Sequence, residues 1–303
     1  MTTALRLANY TPAYTALHEG IFAKHGLQVE IAAASSVAEP ISILNAGRAE
    51  FAMTGTGMAV NSAIEGADTR VIAKMAGAIG LWFISKPGAG VKTLEDIKGK
   101  SIASYRFPSN TVSSPTYAME SVGGFDPKEA GVSFVEGPLG SIIPTVVDGR
   151  ADLGCVFEWD ASIAEAVHGL EVSLPLAGVL GPIAFTSTLV SAAYAEKNPE
   201  VVQSFVNALT ESMQLLHANP DVYARVSAQE FNQVPPAAIE AGARRLLGVE
   251  GVVPRNPVVT RQEWDAIVAH DLAAGTVRGQ GDYDALVDMS YAERAIAALG
   301  NKG

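Results

Sequence analysis

What most constrains this chain is a regular alternation of strand-like and helix-like pieces through roughly its first 190 residues. Short β-rich runs, each followed by a cap and a longer amphipathic run, predict an α/β fold with largely parallel strands. Strands are predicted at 5–9, 29–33, 51–53, 71–76 and 81–85, and again at 101–104, 132–135 and 153–157. Thr11-Pro12 has the form of a helix start, and Ser36-Val37-Ala38-Glu39 has the spacing of a capping box before a helix ending at Gly47. Beyond residue 194 the pattern is helical: 199–218, 221–231, 236–247 and 260–274, punctuated by Asn219-Pro220, Pro235-Pro236 and Pro254 to Pro257.

One internal echo adds to this. Asn45-Ala46-Gly47-Arg48-Ala49-Glu50-Phe51 returns as Val147-Asp148-Gly149-Arg150-Ala151-Asp152-Leu153, an offset of 102 residues. Both phrases read as a helix, a glycine suited to the left-handed C-cap, a basic residue, an acid and a buried strand. The bland reading is recurrent helix-to-strand turn chemistry. The structural reading is two similar α/β halves, with Thr54-Gly55-Thr56 equivalent to Val156-Phe157-Glu158. Both triplets would lie at the carboxyl ends of strands, where open α/β sheets bind ligands.

Composition excludes several classes. With 48% apolar and 17% charged residues the chain is globular, and its 303 residues suit two domains. A net charge of −11 is a poor match for nucleic acid or an anionic membrane. Every apolar run is broken before the ~18 residues of a membrane helix. The single cysteine, Cys155, makes no internal disulfide and no cysteine-rich metal site. His18, His25, His168, His217 and His270 are dispersed without ligand spacing, so neither a metal nor a cofactor is expected. The opening Met1-Thr2-Thr3-Ala4-Leu5-Arg6-Leu7 runs straight into strand pattern without a secretory signal, which keeps a cytoplasmic location open.

Five phrases, in order, resemble a known family: Tyr14-Thr15-Ala16-Leu17-His18-Glu19-Gly20-Ile21-Phe22; His25-Gly26-Leu27-Gln28-Val29-Glu30; Ala46-Gly47-Arg48-Ala49-Glu50-Phe51 with Thr54-Gly55; Leu94-Glu95-Asp96-Ile97-Lys98-Gly99-Lys100; and Asp148-Gly149-Arg150-Ala151-Asp152. Through most of residues 4–190 the chain resembles the ABC-transporter solute-binding proteins of the aliphatic sulfonate, nitrate, taurine and thiamine-precursor type (SsuA/THI5-like, NMT1). The resemblance implies a periplasmic-binding-protein fold of type II, two α/β lobes joined by a hinge with a cleft between them. Lobe one would be 1–87 plus 190–303, lobe two 88–189, with crossings near Pro87 to Gly90 and Phe185 to Leu189. It also implies a small-molecule solute, a permease and ATPase as partners, a monomer, and a periplasmic or cell-surface location.

On that fold, loops running from strand end to helix start supply the candidate ligand-binding residues: Tyr10 and Thr11, Ser35 and Ser36, Thr54, Gly55 and Thr56, and Ser109, Asn110 and Thr111. Their hydroxyls and free helix amides suit a sulfonate, phosphate or carboxylate. The plain alternative is that each merely caps its own helix. Glu158, Trp159 and Asp160 would pair with and stack on a protonated amine or ring nitrogen, Arg106 and Phe107 reaching the same place. Against this, Asp160 reads as a cap, Trp159 as hinge packing and Glu158 as solvated. Trp159→Ala and Thr56→Ala are therefore expected to weaken binding while leaving thermal stability within a few degrees.

A desulfinase of this fold uses a cysteine early in its chain, and the pyrimidine synthases use a cysteine-rich iron motif. Cys155 matches neither and reads as a core thiol. The expectation is thus a binding protein for a small anionic or zwitterionic solute (sulfonate, carboxylate or pyrimidine-like), with no catalytic residues. A cytosolic enzyme or metabolite sensor on the same fold is the alternative.

Overall fold

The computed structural model describes residues 1–300 apart from 5, 35, 37, 249 and 250. Ten strands follow in chain order: β1 Thr2–Thr3, β2 Ala32–Ala33, β3 Phe51–Gly55, β4 Thr69–Ala76, β5 Leu81–Ser85, β6 Ser101–Tyr105, β7 Ser133–Gly137, β8 Leu153–Phe157, β9 Glu171–Pro175 and β10 Thr186–Ser191. They form two five-stranded sheets, ordered β2-β1-β3-β10-β4 and β7-β6-β8-β5-β9.

The two orders are the same pattern. In each, the first strand lies between the second and third, all three parallel. An antiparallel strand then joins the third to an edge strand: β10 between β3 and β4, and β5 between β8 and β9. Within this pattern β3 and β8 are equivalent, and their bounds differ by the 102 residues of the echo. Gly47 and Gly149, φ 66° and 72°, each end the helix preceding the strand, a geometry that costs a β-carbon dearly.

The chain divides into two compact units, 1–78 with 182–230 and 251–303, and 79–181 with 231–250. This differs from the expected bounds in three ways. Residues 79–87 belong with the second unit because β5 bonds to β8 and β9. Residues 182–189 belong with the first, since β10 bonds to β3 and β4. The third difference is the segment 231–250, whose Pro236–Gly248 helix packs on the Asp160–His168 helix of the second unit. The chain therefore passes between units four times rather than twice.

In the first unit the sheet buries Phe51 against Phe205 of the Pro199–Ala218 helix, ring centroids 3.9 Å apart, with Phe22 stacked on Phe205 at 5.2 Å. In the second, Phe83 and Leu153 on one face of the sheet and Ile84 and Val156 on the other are all sealed from solvent. One expected strand fails: 5–9 forms no strand where described. Residues 8–10 already form a 3-10 turn leading into the Thr11–His18 helix, and pairing is confined to Thr2 and Thr3. Leu5 itself lies outside the described residues. The expected capping box is half formed, the Glu39 amide donating to Ser36 Oγ at 3.3 Å. No described helix is long and apolar enough to cross a membrane.

Candidate functional site

Each unit presents a polar end to its sheet, at the carboxyl ends of the parallel strands. In the first unit this end is built from β3 and the returning β10. Register places Ser187 beside both Thr54 and Lys74, and Thr186 beside Gly55 and Ala76. Thr56 and Ser187 share a buried hydroxyl bond of 2.7 Å, and the Thr56 amide donates to Phe185 O at 3.3 Å. Lys74, buried on β4, pairs with Glu263, whose other oxygen accepts from Thr260 at the start of the Arg261–Ala273 helix.

Two groups here were not legible as site candidates. Asn9 Nδ2 and Thr186 Oγ1 are buried, their residues 4% and 5% exposed, and neither has a hydrogen-bond partner. Buried polar atoms are normally satisfied, so such orphans mark places where water or a ligand completes the structure. The signal for Thr186 was present in Thr186-Ser187-Thr188-Leu189-Val190, a β-prone run that reads as a hinge until its strand partners are known.

Other expected residues in this unit take structural roles. Tyr10 and Thr11 are fully enclosed, Thr11 Oγ1 donating to Ala8 O at 2.7 Å, and burial pushes the Tyr10 phenol up. Ser36 is exposed and caps its helix, while Ser35 lies outside the described residues. A recess of about 610 Å³ opens at the opposite end of this sheet, lined by Arg48, Glu50, Phe51, Tyr194 and their neighbours, and none of the expected site residues borders it.

In the second unit the polar end joins β6 and β8. The Tyr105 amide donates to Thr111 Oγ1 at 2.9 Å, and the Tyr105 hydroxyl donates to Asp160 Oδ2 at 2.6 Å. Ser109 Oγ accepts from the Thr111 amide at 3.3 Å as N-cap of the Asn110–Ser121 helix, and Asn110 accepts from Ser113. Arg106 is exposed, as is Phe107 at 59%, its amide bonded to Glu136. The Phe107–Pro108 and Glu158–Trp159 peptide bonds are cis.

Glu158, Trp159 and Asp160 separate into different roles. Glu158 is not solvated: its carboxylate is enclosed, 2.5 Å from Arg245 Nη1, and accepts from the Ser162 amide and hydroxyl at 3.1 and 2.8 Å. Burial pushes this carboxyl up while the Arg245 guanidinium opposes it. Trp159 is 7% exposed, with Phe231 at 5.4 Å and the α-carbon of Gly242 against its ring. A β-carbon at Gly242 would stand 2.7 Å from Trp159 Cζ3. Gly242 of the Pro236–Gly248 helix stands against its six-membered ring. Only Asp160 keeps a partly open carboxylate.

Cys155 is sealed in β8 opposite Phe83, burial pushing its thiol far up, away from the thiolate a nucleophile needs. His18 and His25 pair with Glu230 and Glu211 at 2.9 Å, and among the described residues no cluster of metal-ligating type exists.

Two α/β units with identically ordered mixed sheets are the fold of the periplasmic solute-binding proteins. The chain belongs to the NMT1/THI5-like family, whose model matches residues 7–222. Similar solved structures include the periplasmic sulfonate-binding protein SsuA of Methylobacillus flagellatus KT, at 16% identity and TM-score 0.76 over 100% of this chain and 94% of that one. The periplasmic nitrate-binding protein NrtA of Synechocystis PCC 6803 shares 14% identity, TM-score 0.73, over 98% and 88%. A ligand-binding component of an ABC-type import system from Staphylococcus aureus, with zinc bound, shares 12%, TM-score 0.74, over 97% of each. No curated protein matches the chain significantly.

Proposed function

We propose that this chain is the substrate-binding component of an ABC-type import system, taking a small anionic or zwitterionic solute at the polar sheet ends and handing it to a permease with its ATPase outside the cytoplasm. No chemical step belongs to this reading. The observation that carries it is the buried, partnerless Thr186 Oγ1 at the carboxyl end of the first sheet, beside Gly55, with Asn9 Nδ2 in the turn before the Thr11–His18 helix also buried and partnerless. Neutral donors fixed on a strand and on a helical turn bind an anion without a charged partner, because the scaffold has already oriented them. Family membership and the whole-chain likeness to binding proteins agree with it.

A thermal-shift screen of sulfonates, carboxylates and aminopyrimidines tests the reading. A true solute at 100 times its dissociation constant should add about 2.7 kcal/mol to stability. No stabilisation by any member, or turnover of a stabilising one, would count against it. Thr56→Ala should weaken the hit about tenfold and cost about 1 kcal/mol by itself, because the buried Ser187 hydroxyl loses its partner. Unchanged affinity in that variant would remove the β3 loop from the site.

A further inference from the structure

Acidic side chains buried in this protein come with basic partners. Glu158 has Arg245 at 2.5 Å, Glu263 has Lys74, and Asp271 has His270 at 2.9 Å. Asp160, less deeply placed than these three, has no such partner. It is the first residue of the Asp160–His168 helix and sits at the carboxyl end of β8, half-buried. Among the described residues no basic side chain lies within ion-pair distance of it. Its one side-chain partner is a neutral phenol, Tyr105, bonded to Oδ2 at 2.6 Å.

The helix N-terminus favours a negative charge there, which explains tolerance but not the lack of a partner. Tyr105 is itself fixed from behind, its amide on Thr111. The phenol holds Oδ2, and among the described residues Oδ1 has no side-chain partner. Burial pushes the Asp160 carboxyl up, the Tyr105 bond opposing it, and a cation arriving at Oδ1 would favour the charged form. Its neighbour Glu158, equally acidic in sequence, is closed to a ligand by Arg245 and Ser162.

We infer that the solute carries a protonated nitrogen, recognised by Asp160 with Tyr105 as its positioning residue, and that simple anions without such a nitrogen are poor ligands. The inference rests on the solute-binding reading and narrows it from anionic or zwitterionic to zwitterionic or cationic. A lone carboxylate would repel nitrate or an alkanesulfonate, while an ammonium or protonated ring nitrogen would complete the ion pair that the protein leaves unfilled.

Calorimetry on the full chain with matched probes tests this: taurine against ethanesulfonate, β-alanine against propionate, and 5-(aminomethyl)pyrimidine against 5-methylpyrimidine. In at least one pair the nitrogen-bearing member should bind at least about tenfold tighter. Asp160→Asn should abolish that preference and leave the nitrogen-free member as before or tighter. Tyr105→Phe should reduce the preference by a smaller factor while the thermal midpoint of the free protein holds, an effect that a purely structural hydroxyl would not produce. If the Asn variant fails to fold, the wild-type preference and Tyr105→Phe decide the matter. Equal binding within every pair, or a preference surviving in Asp160→Asn, overturns the inference. Binding of a nitrogen-free anion alone overturns it while leaving the import reading intact, and no binding by any probe counts against both.

Discussion

Trp159→Ala should destabilise the second unit by about 3–5 kcal/mol, lowering its thermal midpoint on the order of 10 °C. The sequence alone suggested a change of only a few degrees, with the loss falling on ligand binding instead. The difference lies in what surrounds the indole. Phe231 packs beside it and Gly242 stands against its six-membered ring, so truncation opens a cavity between two helices that are themselves well anchored. Because Arg245 holds the Pro236–Gly248 helix in place, collapse into that cavity is restricted and the cost stays high. Differential scanning calorimetry reads the outcome directly, resolving the two units if they melt apart. A midpoint within about 2 °C of wild type, together with lost ligand binding, would restore the ligand-stacking role for Trp159.

Arg245→Met should cost a similar amount, about 3–5 kcal/mol, by leaving the Glu158 carboxylate enclosed without its counter-charge. The methionine keeps most of the apolar stem, so lost packing contributes little. The double variant Glu158→Gln with Arg245→Met should regain most of the loss, since glutamine still accepts from Ser162 and carries no charge. The pH dependence has a definite sign. Without Arg245, burial is opposed only by the two Ser162 bonds, and the Glu158 pKa moves further above the unfolded value. The penalty is then present at neutral pH and shrinks as pH falls through the folded-state pKa, where protonation removes the buried charge. Urea denaturation at pH 7 and pH 5 measures both effects. A loss below about 1 kcal/mol at pH 7 would mean that water, not Arg245, stabilises Glu158.

Much of the architecture was legible because it is written in local chemistry. The helix over 199–218 and the strands over 81–85 and 153–157 match their expected bounds, since apolar period, cap and turn residues all lie within a few residues of one another. The echo between Gly47 and Gly149 also proved structural, because a left-handed C-cap before a buried strand is a local demand met the same way in both units. β9 and β10 escaped notice. Glu171–Pro175 is a half-buried edge strand with little periodic signal, and Thr186–Ser191 becomes a strand only by lying between β3 and β4.

The candidate site divides along the same line. That Thr54-Gly55-Thr56 and Glu158-Trp159-Asp160 follow equivalent strands could be reasoned from spacing. Which of them is open to a ligand could not. Thr56 is oriented by Ser187, 131 residues away, whereas Glu158 is taken up by Arg245, 87 away, and Trp159 packs on a helix that the linear pattern assigned to the other half.

By itself the sequence determined the two-fold α/β plan and the positions of its polar strand ends, because hydrophobic period and glycine geometry act over a few residues. Only the tertiary structure decided which acid keeps its charge unpaired and where the antiparallel strands return. Those choices depend on contacts between distant segments, and a buried carboxylate looks the same in the sequence whether or not a guanidinium arrives to neutralise it.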